Sequence, residues 1–374
     1  MKKRVLIIAE HDLTSTGGIQ QNMQSITTHL VDRYDFDVVV FTDMTEHEKK
    51  AFGQYKNIYC VPCDVVDNKI ERIIENVLRP FRIMRAARKL FRENQYSAIH
   101  CHDTLKAPLF LLEAKKNNVP VRIMHCHNPS EKDPVGCLKR IYYSFMESLV
   151  NPTTNVKIGC SEDACKSTFG VQASKSFVVN NEIDLSCFDP NKYESVGDDK
   201  LNFIHVGRFT HQKNHEFLLN VFRGVYDAFP QSKLTLVGWG VLDKEIREQI
   251  DTLGLHDAVT ILPPDSNIPL LMSQVNYMIF PSRYEGLGRV LIEAQSMNIM
   301  CFASNCIPEE TDLGLCDYLD LNSGADSWSR HIVDFISGDV RASREIDKEK
   351  QSAFDVNNII QTYVDIYEGV HCEQ

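Results

Sequence analysis

Long apolar runs are missing from this 374-residue chain: none approaches the roughly 18 residues that a membrane-spanning helix needs. Met1-Lys2-Lys3-Arg4 followed by Val5-Leu6-Ile7-Ile8-Ala9 has the look of a secretion signal, but Glu10-His11-Asp12 ends the apolar stretch after five residues. That is too short for an h-region, so the run reads as a buried first strand and the expected compartment is the cytoplasm. An excess of basic residues is missing too. A net charge of −11 excludes nucleic acid as a partner, because phosphate-neutralising proteins carry basic faces. Twelve cysteines are present, yet only Cys60 and Cys63 form a Cys-x-x-Cys. With no second pair at zinc-ribbon spacing, the thiols are expected to be reduced and mostly in the core. Low-complexity segments, short repeats and the G-x-G-x-x-G fingerprint of nicotinamide enzymes are also absent.

What is present is an ordinary globular composition, 43% hydrophobic and 24% charged, in a chain too long for one core. Short apolar runs recur at Val5–Ala9, Val38–Phe41, Ile58–Val61, Ala98–His102, Val121–His125, Val156–Cys160 and Phe177–Asn180, with helical patterns between them. Strands alternating with helices predict a parallel, helix-covered sheet. Ser161 is placed to cap a helix ending at Gly170, and Gly17-Gly18 precedes a helical pattern over Ile19–Leu30. The polar stretch Asp189–Lys200 reads as a linker. Alternation then resumes at Phe203–Val206, Leu234–Val237, Val259–Leu262, Tyr277–Phe280 and Met300–Ala303. The expected organisation is a domain over 1–188, a second over 201–350, and a helix over 353–374 packing back across the junction. Both domains are expected to be doubly wound α/β.

Four constellations can carry chemistry. In Phe280-Pro281-Ser282-Arg283-Tyr284-Glu285-Gly286-Leu287-Gly288-Arg289 through Glu293-Ala294, a strand gives way to a glycine-containing turn and a helix start, whose unpaired N–H groups form an anion site. Glu285 and Glu293 lie eight apart, so both can face one cleft and accept hydrogen bonds from hydroxyls. The bland reading, a solvated helix with surface glutamates, is weakened by the position at a strand's carboxyl end. Val206-Gly207-Arg208 through Lys213 puts two cations on another strand-to-helix loop, suited to clamp a diphosphate. Gly17-Gly18 can bring backbone amides near a phosphate. His100-Cys101-His102-Asp103 and His125-Cys126-His127-Asn128 close two strands. A metal site is set aside for these on the expectation that alternate strand residues diverge and the two clusters need not converge; an imidazole near a sugar hydroxyl is preferred.

Together these motifs resemble the retaining glycosyltransferases of the GT-B fold, specifically glycosyltransferase family 4. The similarity spans nearly the whole chain. Its strongest block, Asn202 to Glu310, includes Leu236-Val237-Gly238-Trp239-Gly240 between the two charged loops. The resemblance implies two Rossmann-like doubly wound domains facing a cleft, the first binding acceptor and the second binding a nucleotide-sugar. It implies that Gly18 donates its amide to the donor phosphate, that Arg208 and Lys213 hold the diphosphate, and that Gly286, Leu287 and Gly288 offer backbone amides. Glu285 would touch the transferred sugar, Glu293 the ribose hydroxyls, and His125, or His127, the reacting centre; Gly17 is a further candidate. Two positions depart from the pattern: Glu182 in Asn181-Glu182-Ile183-Asp184 and Asn298 each replace a usual glycine, which puts local turn geometry in doubt.

The implied reaction transfers a sugar from a UDP- or GDP-sugar to a glycan or lipid-linked glycan with retained anomeric configuration and without metal or cofactor. Leu319-Asp320-Leu321 through Trp328 resembles enzymes of capsule or exopolysaccharide assembly. A stripe of Arg82, Arg85, Lys89 and Arg92 within Arg79–Arg92 could hold the chain on anionic lipid at the inner membrane face, although an ordinary solvated face is the preferred reading; Phe81, Met84 and Phe91 are expected against the sheet. Two other readings stay open: a nucleotide-sugar epimerase, which turns over donor without acceptor, and a non-catalytic nucleotide-sugar-binding protein.

Overall fold

The computed structural model describes residues 2–9, 13, 18–61, 69–102, 106–127, 137–180, 182–194, 201–338 and 344–372. It divides into two compact units, Met1–Glu182 with Asn357–Gln374, and Ile183–Val356.

The first unit is built on β1 (Lys3–Ile8), α1 (Gly18–Leu30), β2 (Tyr34–Val40), α2 (Glu46–Lys50), β3 (Tyr55–Cys60), α3 (Lys69–Glu93), β4 (Ala98–Cys101), α4 (Ala107–Lys116), β5 (Val121–Cys126), α5 (Cys137–Thr153), β6 (Val156–Gly159), α6 (Glu162–Phe169) and β7 (Phe177–Val178). Its strands form one parallel sheet in the order β3-β2-β1-β4-β5-β6-β7. Val5 through Ile8 are all buried, as expected of a strand covered by helices on both faces, which is why it reads as an unbroken apolar run. At α6, the Ser161 hydroxyl accepts the Ala164 N–H at 3.2 Å, and Gly170 ends the helix at φ 57°, a left-handed value suited to glycine.

Helix α3 corrects one expectation. Ile83, Ala87, Leu90 and Phe91 are buried, whereas Phe81 is 70% exposed. Residues 83, 87, 90 and 91 share a helical face, and two residues back from 83 the chain has turned about 200° away from it. Phe81 is therefore not part of the stripe that covers the sheet.

The second unit contains β8 (Asn202–Val206), α7 (His215–Ala228), β9 (Lys233–Val237), α8 (Asp243–Thr252), β10 (Val259–Leu262), α9 (Ile268–Met272), β11 (Tyr277–Phe280), α10 (Arg289–Ser296), β12 (Met300–Ser304), β13 (Cys316–Leu319), α11 (Ala325–Ser337) and α12 (Lys348–Ser352). The sheet order is β10-β9-β8-β11-β12-β13. Strand β13 is absent from the sequence reading because it is an edge strand, Cys-Asp-Tyr-Leu, buried fully only at Cys316. Of the expected linker, 195–200 lies outside the described residues, and Pro190–Lys192 forms a short 3-10 turn.

Helix α13 (Val356–Tyr367) carries the chain back into the first unit, where Ile359, Tyr363, Ile366 and Tyr367 join the core with Val5, Phe36 and Val38. No helix among the described residues is long and apolar enough to cross a membrane.

Candidate active site

In the second sheet, β8, β9 and β10 run outward to one side while β11, β12 and β13 run to the other, so the chain order reverses between β8 and β11. Loops leaving the carboxyl ends of strands at such a reversal diverge and leave a crevice for ligand. Here the loops after β8 and β11 are tied together. The Arg283 N–H donates to the Gln212 carbonyl at 2.8 Å, Gln212 Nε2 to the Tyr284 carbonyl at 3.0 Å, and Asn214 Nδ2 to the Pro281 carbonyl at 3.1 Å. Arg283 Nη2 donates to Asn214 Oδ1 at 2.8 Å, and Lys213 Nζ to Glu285 Oε1 at 2.5 Å. The Lys213 stem lies against Gly207, where an added Cβ would meet its Cδ and Cε at 3.2 Å, and the ammonium stands 4.8 Å from the Phe280 ring centre. Arg208 is exposed on the same loop.

Glu285 precedes α10, whose amino end is Gly288 at φ 83°. That value belongs to glycine. Gly286 and Leu287 are buried between them. Glu293, one turn into α10, is buried, and burial pushes its carboxyl above the usual range while Arg289 opposes the shift. Arg289 Nε lies 3.9 Å from Glu293 Oε1. The structure thus joins Lys213 to Glu285 and Arg289 to Glu293, each pair astride the helix start. Gly238 and Gly240 close the β8 side: a Cβ at Gly238 would stand 2.0 Å from the Gly207 carbonyl oxygen, and one at Gly240 2.3 Å from that of Phe209. Only glycine lets these backbones approach so closely.

In the first unit Gly18 opens α1, while Gly17, Asp103 and Asn128 lie outside the described residues. His125, at the end of β5, is fully buried, and His127 is 6% exposed. Neighbouring strands β4 and β5 pair Cys101 with Met124, so one step further His102 comes beside His125. Their rings are 5.2 Å apart between centres. His100 Nε2 meets His125 Nδ1 at 3.2 Å and His102 Nδ1 meets His127 Nε2 at 2.7 Å.

These motifs have counterparts among known proteins. Residues 16–186 match the family described as Glycosyltransferase Family 4, and residues 189–313 that described as Glycosyl transferases group 1. EpsF of Bacillus subtilis (strain 168), provisionally named a glycosyltransferase, is 30% identical over 304 residues, covering 77% of this chain and 79% of its own. The chain belongs to the family 4 glycosyltransferases. Another relative, the UDP-Gal:α-D-GlcNAc-diphosphoundecaprenol α-1,3-galactosyltransferase of Escherichia coli, is 22% identical over 62% of this chain and 63% of its own. Among solved structures, HepE of Anabaena in complex with UDP and glucose superposes with a TM-score of 0.75 at 16% identity, covering 98% of this chain and 99% of its own. The fold is GT-B, two Rossmann-like domains.

Three features of this family 4 glycosyltransferase were missed in the sequence. Arg289 stands in the first turn of α10, where the helix's own partial charge is positive and disfavours a cation; that mismatch was the signal. Its Nε and Nη1 are buried with no hydrogen-bond partner among the described residues. Glu182, taken as a doubtful turn, is buried and accepts the Asn22 Nδ2 donor at 2.5 Å, fastening α1 to the end of the sheet. Asn298 adopts φ 61°, a left-handed conformation that asparagine tolerates. The expectation that the two histidine clusters diverge is also corrected. Residues two apart on a strand share a face, and the sheet register brings both pairs together.

Proposed function

We propose that this transferase is a retaining enzyme that moves a sugar from a nucleotide-diphosphate-sugar, most simply a UDP-sugar, to a hydroxyl of a glycan or lipid-linked glycan in surface-polysaccharide assembly. The observation that carries this reading is the pair of loops tied together at the β8/β11 reversal, with Lys213 and Glu285 2.5 Å apart. The UDP in the HepE structure and the UDP-Gal and diphosphoundecaprenol in the name of the E. coli relative support the donor and acceptor classes.

In this reading Arg208 and Lys213 stabilise the charge that grows on the diphosphate as the anomeric bond breaks, together with the amides of Gly286, Leu287 and Gly288. The Lys213–Glu285 pair holds the lysine extended before donor binds, so little reorganisation is needed. Glu285 then accepts hydrogen bonds from the transferred sugar and Glu293 from the ribose hydroxyls. Gly18, at the amino end of α1, donates to the donor phosphate beside Gly17, and His125, or His127, hydrogen-bonds the sugar. Fixed cations and amides offset the negative charge of the leaving diphosphate, so the transfer step needs no metal, and the acceptor attacks from the face that the nucleotide leaves. For the lipid-linked acceptor, Leu78 and Phe81 of α3, 48% and 70% exposed, together with exposed Arg82 and Arg85, form a surface suited to anionic lipid at the cytoplasmic membrane face.

A panel of nucleotide-sugars screened by thermal shift identifies the donor, and transfer to a lipid-linked glycan acceptor is then assayed with it. Glu285→Gln and Lys213→Ala are each expected to lower kcat by about 10²–10³-fold with unchanged circular dichroism. Donor turnover that needs no acceptor would instead establish an epimerase. Tight donor binding with neither reaction would leave a binding protein.

A further inference from the structure

Four imidazoles cluster at the ends of β4 and β5 in the first unit. One nitrogen from each of His100, His102 and His125 lies within 4.8 Å of the other two. His100 and His102 are 4.2 Å apart between ring centres, and His125 and His127 4.1 Å. All four are at most 6% exposed. An ordinary buried histidine satisfies both ring nitrogens with hydrogen bonds. Here Nε2 of His102 and Nε2 of His125 have no hydrogen-bond partner among the described residues.

The hydrogen bonds that do exist permit a consistent placement of protons. His125 Nδ1–H donates to His100 Nε2 (3.2 Å), His100 Nδ1–H to the Tyr367 hydroxyl (2.9 Å), and His102 Nδ1–H to His127 Nε2 (2.7 Å). Both unpartnered Nε2 atoms are then bare lone pairs, on rings whose centres are 5.2 Å apart. That is the arrangement of histidine ligands to metals, each held in its tautomer by donating the other N–H to a neighbour.

We propose that His102 and His125, through their unpartnered Nε2 atoms, form a binding site for a divalent transition metal of the zinc class, with His100, His127 and Tyr367 as supporting partners. Imidazole-only ligation selects zinc, cobalt, nickel or copper over magnesium and calcium, which require oxygen ligands. Metal–nitrogen bonds of about 2.0–2.1 Å in tetrahedral geometry set the ligand nitrogens roughly 3.3 Å apart; in the structure one nitrogen of each ring lies within 4.8 Å of the others. The proposal does not rest on the transferase reading. An ion there would occupy the His125 nitrogen assigned above to the sugar, so occupancy and transfer should compete.

The test uses the full chain without a polyhistidine tag, stripped with chelator and titrated with cobalt(II). Equilibrium dialysis with elemental analysis is expected to give one ion per chain, with the visible absorption of a nitrogen-ligated four-coordinate cobalt, displaced by zinc(II). His102→Asn and His125→Asn should each weaken binding by about tenfold or more, and His215→Asn, in the buried His205–His215 pair of the second unit, should not. No stoichiometric cobalt, or cobalt binding indifferent to both substitutions, overturns the site. Should the variants fail to fold, nitrogen-15 spectra of the wild-type imidazoles decide: zinc must shift Nε2 of His102 and His125. None of these readouts requires sugar transfer, so the two readings fail separately.

Discussion

At the scale of single residues, burial of imidazoles sets an acid limit on the first unit. Burial chiefly, with repulsion from His127, lowers His100 to about 3, and the same causes lower His102 and His125 well below their ordinary value. The unfolded chain takes up these protons near pH 6.5 and the folded chain does not. Their contribution to stability is thus complete above about pH 6.5 and is lost as the pH falls toward the folded values, by about 1.4 kcal/mol per pH unit for each ring. Urea unfolding of metal-free protein at pH 7.5 and 5.5 should show a lower midpoint at 5.5, and His100→Asn should flatten the slope. An unchanged midpoint would mean that the rings accept protons in place. The placement of Arg208, Lys213, Glu285 and Glu293 on the loops and helix start after β8 and β11 was legible, because each loop follows an apolar strand. Arg289 and Glu182 were not, because their meaning comes from burial. The histidines were half legible: their identity is in the sequence, but their meeting depends on the register of β4 against β5.

At the scale of elements, the β8 loop depends on the bare backbones of Gly238 and Gly240. Gly240→Ala would drive a methyl group to 2.3 Å from the Phe209 carbonyl oxygen, displacing the loop that carries Arg208. A loss of about 1–3 kcal/mol is expected from such overpacking, read as a lower thermal midpoint and weaker donor binding. Gly53→Ala, with nothing within 4 Å of its added Cβ, is the neutral control. Equal effects at the two positions would show that the loop tolerates the methyl group. Interior strands were readable because burial on both faces leaves an unbroken apolar run, as in Val5–Ile8 or Tyr277–Phe280. Strand β13 escaped because an edge strand mixes polar and apolar side chains, and the buried stripe of α3 was misassigned because Phe81 is apolar without being covered.

At the scale of the whole molecule, the proposed lipid contact is tested on exposed side chains of two helices of the first unit. Besides Leu78 and Phe81 on α3, α5 exposes Ile141 and Phe145, 62% and 54%, one turn apart, and both helices pack on α4. Flotation with vesicles rich in anionic lipid should carry the protein upward at low salt, less at high salt, and less again for Phe81→Asp with Arg85→Glu. Failure to float at low salt removes membrane contact from the proposal and leaves donor chemistry untouched. The return of α13 to the first unit has a different consequence, for synthesis. Ile183–Val356 is one contiguous stretch and can close as soon as it leaves the ribosome. The residues before it must wait with an open core until Tyr363 and Tyr367, which follow that stretch in the chain, arrive to fill it. Amino-terminal segments ordinarily fold first; in this chain the first unit is completed after the second, and a nascent chain stalled just past Val356 would hold a finished second unit and an unfinished first one.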